Sequence, residues 1–408
     1  MMHLLYSGKR ENIVCQITNT KRSKMKVTGV DYILLFTLIM LLIFGTMMIY
    51  SSGQPYALSH YKDGTYYLKR QIVFLTIGCI LMTFLSFLSE AVYRKMSPAF
   101  YISCTVLLVI VLFGGFSEGV AKRWLGIPGT PLSFQPSELM KLGIILMLSW
   151  YLDKYYDKKK NFLFEIIIPG LILFGACGLV LLEKHLSGTV IIAAIGLFVL
   201  FVSGINIKRM AISYGLTGLV GAIAFLLTNS YAMKRIESFL NPNADVLSDK
   251  WQTTQGLYAI GSGGLFGLGY MNIRQKYSYV SEPQNDFIFT IWCEEMGFLG
   301  AFILITLFII LIWRGYNIAM HAPSLFSSLV AFGITSHVGI QAFLNMAVVT
   351  DLIPNTGISL PFFSYGGSSL VILLAEMGIL LSISRASAQI NRRILGEYYC
   401  VAVGQPVM

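Results

Sequence analysis

The run DYILLFTLIMLLIFGTMMIYS (31–51) decides the class of fold, because its only charge stands at its first position. A bilayer-spanning helix needs about 20 predominantly apolar residues, and this run supplies them. Similar runs recur along the chain, at 71–90, 96–115, 138–152, 162–183, 187–206, 210–230, 286–312, 322–350 and 364–384. Composition agrees: 55% of the 408 residues are hydrophobic and 12% are charged, against about 25% charged in an ordinary soluble domain. A soluble enzyme, a disordered chain and a secreted disulfide scaffold are excluded. The six cysteines form neither a CxxC nor a metal-ligand pattern. The reading is an all-α polytopic membrane protein of about ten spans, occupying 31–384.

Charge sets the expected orientation. The formal net charge is +10, but the excess lies between the spans, which points to topology rather than nucleic acid. Residues 1–30 carry six Lys/Arg and no signal-peptide core, so they read as a retained cytoplasmic tail. From that start the even-numbered connections and the tail 385–408 fall inside. They hold 18 basic residues against 11 outside, with Lys141 within a span. Both termini are therefore expected in the cytoplasm. The connection 230–285, between the seventh and eighth spans, is long, outside and glycine-rich in IGSGGLFGLG (260–269). Short amphipathic helices at the interface are expected there, and loops of this length usually carry function.

Polar groups inside apolar spans are costly and face a partner or a cavity. Glu138 and Lys141 stand i,i+3 on one helical face, either as a local ion pair or as part of a site. Asp286, Thr290 and Glu294 follow at steps of four, as do His337, Gln341 and Asn345, and Glu376 lies in the tenth span. An aqueous groove and helix-to-helix hydrogen bonding both explain the second stripe. Asp286 suits a helix cap and equally a general base at the outer face. The pairs Lys122–Arg123, Lys234–Arg235 and Arg274/Lys276 fit lipid headgroups or an anionic, phosphate-bearing ligand.

Four segments carry a family resemblance. RWLGIPGTPLSFQPSELMKLG (123–143), RIESFLNPNADVLSDKWQTTQGLYAIGSGGLFGLG (235–269), EPQNDFIFTIWCEEMGFLG (282–300) and PNTGISLPFFSYGGSSL (354–370) resemble, in order, motifs of the SEDS proteins (shape, elongation, division and sporulation). The lead-in EPQ and the wording TGISLPF look closer to the division and sporulation branch. EKHLSGT (183–189) departs from the family, because the acid of a Pro-Asp-Leu-Gly-Thr-type turn is absent.

The resemblance implies a peptidoglycan glycosyltransferase of the FtsW/RodA/SpoVE type. Such an enzyme polymerises lipid II at the outer face of the bacterial cytoplasmic membrane and works with a class B penicillin-binding transpeptidase. Asp286 matches the family's catalytic acid. Lys122, Arg123, Glu138, Lys141, Lys234, Arg235, Lys276, Ser364 and Ser368 are the expected substrate-binding residues. No protein metal site is expected, although a divalent cation, Mg²⁺ or Mn²⁺, suits the pyrophosphate. Membrane lipids are expected partners and nucleic acid is not. A lipid II flippase and a non-catalytic scaffold for the transpeptidase remain as alternatives.

Overall fold

The computed structural model describes residues 29–117, 122–126, 133–158, 161–228, 251–272 and 283–403, with the single positions Met233, Glu237 and Phe239. A long helix stands at each of the ten predicted places. The first six are α1 (Tyr32–Tyr61), α2 (Tyr66–Phe87), α3 (Glu90–Gly114), α4 (Pro136–Lys154), α5 (Leu163–Leu182) and α6 (Leu186–Val202). Next come α7 (Ile207–Thr228) and a short helix α8 (Trp251–Ser262), then α9 (Ile288–Met320), α10 (Leu325–Val349) and α11 (Gly367–Val403). Seven of these helices are long and apolar enough to cross a membrane, among the described residues. The protein is an all-helical, multi-span membrane protein.

Three helices, α1, α9 and α11, run well past the apolar stretches that predict them. At 1.5 Å per residue, the 30-residue α1 is ~45 Å long, whereas the hydrocarbon layer is ~30 Å. Run length registers only the part that needs lipid. Likewise α11 continues through residue 385 to Val403, so the predicted boundary of the C-terminal tail is not a break in the helix. Half of the 230–285 loop and both chain ends lie outside the described residues.

Ion pairs gather one end of the bundle. The Arg314 guanidinium holds Asp31 (Nε–Oδ2 2.9 Å), and Asp31 also caps α1 by accepting from Leu34 N at 3.0 Å. Arg94 joins Glu90 at 2.7 Å and Asp153 at 2.9 Å, Arg209 joins Glu165 at 2.8 Å, and Ser324 donates to Glu90 at 2.6 Å. These contacts bring together the connections that the charge count assigns to one side. At the same end, Tyr151 donates to the Phe164 carbonyl at 3.2 Å, joining the foot of α4 to that of α5.

Two features escaped the sequence reading. The first is an antiparallel sheet of β1 (Phe116–Ser117), β2 (Lys122–Gly126) and β3 (Ser133–Phe134), in that order. Phe116 pairs with Trp124 and Leu125 with Phe134. The second is a break in α9 at Gly297, whose φ of 65° and ψ of −164° are not helical. Backbone from the glycine-rich run fills the break. Leu268 N and Gly269 N donate to the carbonyls of Glu294 and Glu295 at 2.9 and 3.1 Å. In return Phe298 N and Leu299 N donate to those of Gly264 and Leu265, at 2.9 and 3.1 Å. Polar groups freed by the break thus keep partners inside protein, as membrane depth requires. The approach leaves no room for a side chain: a Cβ on Gly267 (φ 79°) would lie 2.0 Å from the Glu295 carbonyl oxygen.

Candidate functional site

At the end opposite those ion pairs, five connections surround a cavity of about 410 Å³. Asp286, Glu138, Lys141 and Ser368 of the predicted set line it together. Residues from positions 61 to 369 thus reach one space, because odd-numbered connections share that end of the bundle.

The first turn of α4 supplies the charged floor. Gln135 stands at the N-cap, Pro136 follows with its φ pre-set for a helix, and Glu138 lies where the helix dipole favours an anion. Lys141 is 2% exposed, and its ammonium lies 2.6 Å from Glu138 Oε1 and 3.1 Å from Gln341 Oε1. A cation so enclosed is tolerable only when paired.

Asp286 sits half-buried in the turn before α9. Phe287, not Asp286, occupies the N-cap position, so the capping reading of the sequence gives way. The Asp286 backbone is held from α10, where Asn345 Nδ2 donates to its carbonyl at 2.8 Å and to that of Ile358 at 2.6 Å. Tyr365 N donates to the Gln284 carbonyl at 2.9 Å, tying the same turn to the segment before α11. Gly357, at φ 67°, lies against the carboxylate: a Cβ there would be 3.1 Å from Asp286 Oδ2. The other two members of the predicted stripe do not share this cavity. Thr290 and Glu294 are fully buried, and Thr290 Oγ1 donates back to the Phe287 carbonyl at 2.7 Å.

The second polar stripe is hydrogen-bonded between helices rather than laid along a groove. His337 faces Glu376 of α11 (Nδ1–Oε2 2.8 Å), and only Gln341 of the stripe reaches the cavity wall.

Against known proteins, residues 32–389 match the FtsW/RodA/SpoVE family profile, described as "Cell cycle protein". The chain belongs to this family. Stage V sporulation protein E of Bacillus subtilis (strain 168) is 40% identical over 367 residues, covering 89% of this chain and 99% of that protein. The probable peptidoglycan glycosyltransferase FtsW of Geobacter sp. (strain M18) is 37% identical, covering 88% and 98%. Among solved structures, one similar chain comes from work on the coordination of polymerization and crosslinking by a peptidoglycan synthase complex. Its TM-score is 0.70 at 28% identity, covering 88% of this chain and 99% of that one. Rod shape determining protein RodA of Thermus thermophilus gives 0.65 at 28% identity, covering 88% and 97%. Higher identity to the sporulation and division relatives agrees with the branch read from EPQ and TGISLPF.

In this FtsW/RodA/SpoVE chain the departing EKHLSGT segment spans the α5–α6 turn (183–185) and the first residues of α6. Arg123, one of the expected substrate-binding residues, donates to the Lys184 carbonyl of this turn. Glu183 is 3% exposed, neither carboxylate oxygen has a hydrogen-bond partner, and burial pushes its pKa up to about 8 against the pull of Arg123. His185 stands in the cavity wall, with Nδ1 3.2 Å from Gln135 Nε2 and 3.1 Å from Ser137 Oγ. Burial, helped by Arg123, pushes its pKa down to about 3. It is a neutral ring at physiological pH.

The remaining predicted residues divide. Ser368 is in the cavity wall with a buried Oγ that has no hydrogen-bond partner. Ser364 is not in that wall; its Oγ accepts from Leu360 N at 2.8 Å and closes a local turn. Lys122 lies on β2 with its side chain outside the described residues, and Lys234, Arg235 and Lys276 are outside them altogether. Sequence reasoning missed Arg70, Tyr61 and Tyr66, which line the cavity from α2 and the end of α1. The Tyr61 and Tyr66 rings stack at 3.9 Å, with the Arg70 guanidinium 4.8 Å from the Tyr66 ring centre. The signal available was YKDGTYYLKR (61–70), a segment dense in tyrosine and basic residues.

Proposed function

We propose that this chain is a peptidoglycan glycosyltransferase that polymerises lipid II at the outer face of a bacterial cytoplasmic membrane, in division or sporulation. The observation that carries the reading is the convergence of Asp286 with Lys141, Glu138 and Arg70 on one cavity. Relatives named as probable peptidoglycan glycosyltransferases and the likeness to a chain of a peptidoglycan synthase complex support it. The cavity end then faces outward, and both termini lie in the cytoplasm. Membrane lipids surround the bundle, and a class B penicillin-binding transpeptidase is its partner.

In this mechanism the 4-hydroxyl of the acceptor N-acetylglucosamine gives its proton to the Asp286 carboxylate as it attacks. Its oxygen bonds to the anomeric carbon of the donor N-acetylmuramic acid. The bond from that carbon to the pyrophosphate oxygen breaks, and undecaprenyl pyrophosphate departs with the electron pair, inverting α to β. Negative charge grows on the leaving group, so fixed cations act most strongly in the transition state. Lys141 and Arg70 serve that purpose in the cavity, with Lys122, Lys234, Arg235 and Lys276 as further candidates.

A divalent cation enters this proposal with the substrate. Mg²⁺ is commonly bound through one or two carboxylates plus phosphates, and Glu138 and Asp286 are the cavity carboxylates that fit such a complex. Against the flippase alternative, His337 and Glu376 within the bundle are paired with each other and fully buried.

The test uses purified protein in liposomes with labelled lipid II, scored for polymer and for transfer between leaflets. Wild type makes glycan polymer, and Asp286→Asn makes none while still binding lipid II. Polymer from Asp286→Asn at near wild-type rate refutes the general-base assignment. Transfer without polymer from wild type refutes the enzyme.

A further inference from the structure

Behind the cavity floor, polar side chains continue into the protein in an unbroken line across α4, α10 and α11. Glu138 holds Lys141, Lys141 reaches Gln341 Oε1 at 3.1 Å, His337 Nε2 lies 2.9 Å from that same oxygen, and His337 Nδ1 meets Glu376. His337 and Glu376 are fully buried and Gln341 is 1% exposed. Glu376 and His337 lie outside the cavity wall, so substrate does not account for them.

The hydrogen-bond chemistry of this line fixes the orientation of the Gln341 amide. Gln341 Nε2 lies 3.1 Å from the Ser359 carbonyl oxygen, which only accepts, so the amide nitrogen must face Ser359. Gln341 Oε1 therefore faces Lys141 and His337. Lys141 donates to it, and His337 Nε2 must carry a hydrogen to do the same. On the other side of the ring, His337 Nδ1 is 3.0 and 2.8 Å from the two Glu376 oxygens. The shared proton sits on Nδ1 as an ion pair, or on Glu376 as a neutral pair. In both states Nε2 keeps its hydrogen and Gln341 Oε1 receives two donors, filling its two lone pairs.

The consequence falls on Lys141. Its ammonium has three hydrogens in a tetrahedral array, and Glu138 and Gln341 take two of them. Two fixed acceptors set the direction of the third, and Lys141 lines the cavity. Glu138 alone would leave the ammonium free to swing about a single anchor.

We infer that Glu376, His337 and Gln341 are positioning residues that hold the Lys141 ammonium aimed into the cavity at an anionic phosphate of the substrate. This rests on the glycosyltransferase reading above. Glu376 and His337 lie outside the cavity wall and act through Gln341, which lines it and holds Lys141 directly.

The test is a double-variant cycle on the full-length protein in proteoliposomes, reading kcat and KM for lipid II polymerisation with melting temperature alongside. His337→Phe removes the donor to Gln341, and it is made alone and combined with Lys141→Met. The expected result is about a ten-fold loss of kcat/KM in the Lys141 background and less than two-fold in the Lys141→Met background. A ten-fold loss in both backgrounds, or in neither, overturns the relay and leaves the glycosyltransferase reading standing. Absence of polymer from wild type overturns that reading and the relay together. Where His337→Phe does not fold, Glu376→Leu and Glu376→Gln replace it. Glutamine can donate an amide hydrogen to Nδ1 and so keep the hydrogen on Nε2. Recovery with Gln of activity lost with Leu is expected, and equal losses in the two overturn the proposal.

Discussion

Asn345→Ala tests whether one side chain on α10 holds the two walls of the cavity together. Asn345 is fully buried, and its Nδ2 bridges the carbonyls of Asp286 and Ile358 at 2.8 and 2.6 Å. Truncation deprives both carbonyls of this donor at the cavity wall. Leaving a buried polar group unsatisfied costs about 1–3 kcal/mol, so two such groups give roughly 2–4 kcal/mol once some relaxation is allowed. The functional effect should be larger than the thermal one. Asp286 precedes α9 and depends on this bond for its position, and a shift of ~1 Å in a reacting group can cost ~100-fold in rate. We expect a melting temperature lowered by at least a few degrees in detergent, and lipid II polymerisation reduced ten-fold or more with substrate binding retained. The control is Phe343→Ala on the same helix, 68% exposed, where a change within ~0.5 kcal/mol is expected. An Asn345→Ala protein with wild-type melting and wild-type polymerisation would refute the reasoning.

Three further outcomes follow from the same structure. Glu138→Ala strands the enclosed Lys141 ammonium, and breaking such a pair costs about 3–5 kcal/mol; thermal unfolding should show the loss, and Glu138→Ala combined with Lys141→Met should regain part of it. Gly267→Ala places a methyl against the Glu295 carbonyl in a backbone region that disfavours side chains, so folded yield by size-exclusion chromatography should collapse, whereas Gly261→Ala, with open space around its Cβ position, should be tolerated. Glu183 has a folded pKa raised from 4.5 to about 8, so the native state holds a proton that the unfolded chain releases. Its contribution to stability is fully present below pH ~4.5 and is lost as pH rises through about 8. Glu183→Gln should therefore melt higher than wild type at pH 9 and show a much smaller difference at pH 5; a pH-independent difference would contradict the assignment.

Much of the bundle was readable from sequence because lipid imposes a simple length rule. Each of the ten apolar runs became a helix, and the alternation of basic residues matches the end at which Arg94, Arg209 and Arg314 find their carboxylates. Steps of four placed His337, Gln341 and Asn345 on one face correctly. Spacing did not reveal that each would bond to a different neighbour: Glu376, Ser359 and the Asp286 backbone. The cavity was only half legible. Asp286, Glu138 and Lys141 betrayed themselves as charges at the edges of apolar runs, where an unpaired charge is expensive. Arg70, Tyr61 and Trp124 fall in stretches that read as polar connections between the apolar runs, where such residues cost nothing and attract no notice; only the folded chain brings them together. The small sheet escaped because two of its strands have two residues each, too short for any alternation to register.

The interlocked backbone at Gly297 changes what kind of segment 263–269 is. By position it belongs to a connection, where insertions and deletions are ordinarily absorbed at little cost. By bonding it is a splice in the spine of α9, with reciprocal donors that tolerate no slip in register. Removing one residue there would misalign every bond at once, much as a deletion within a buried helix does. Length variation among homologous chains should accordingly stop short of this stretch on both sides, making it a fixed point from which the rest of the 230–285 loop is measured.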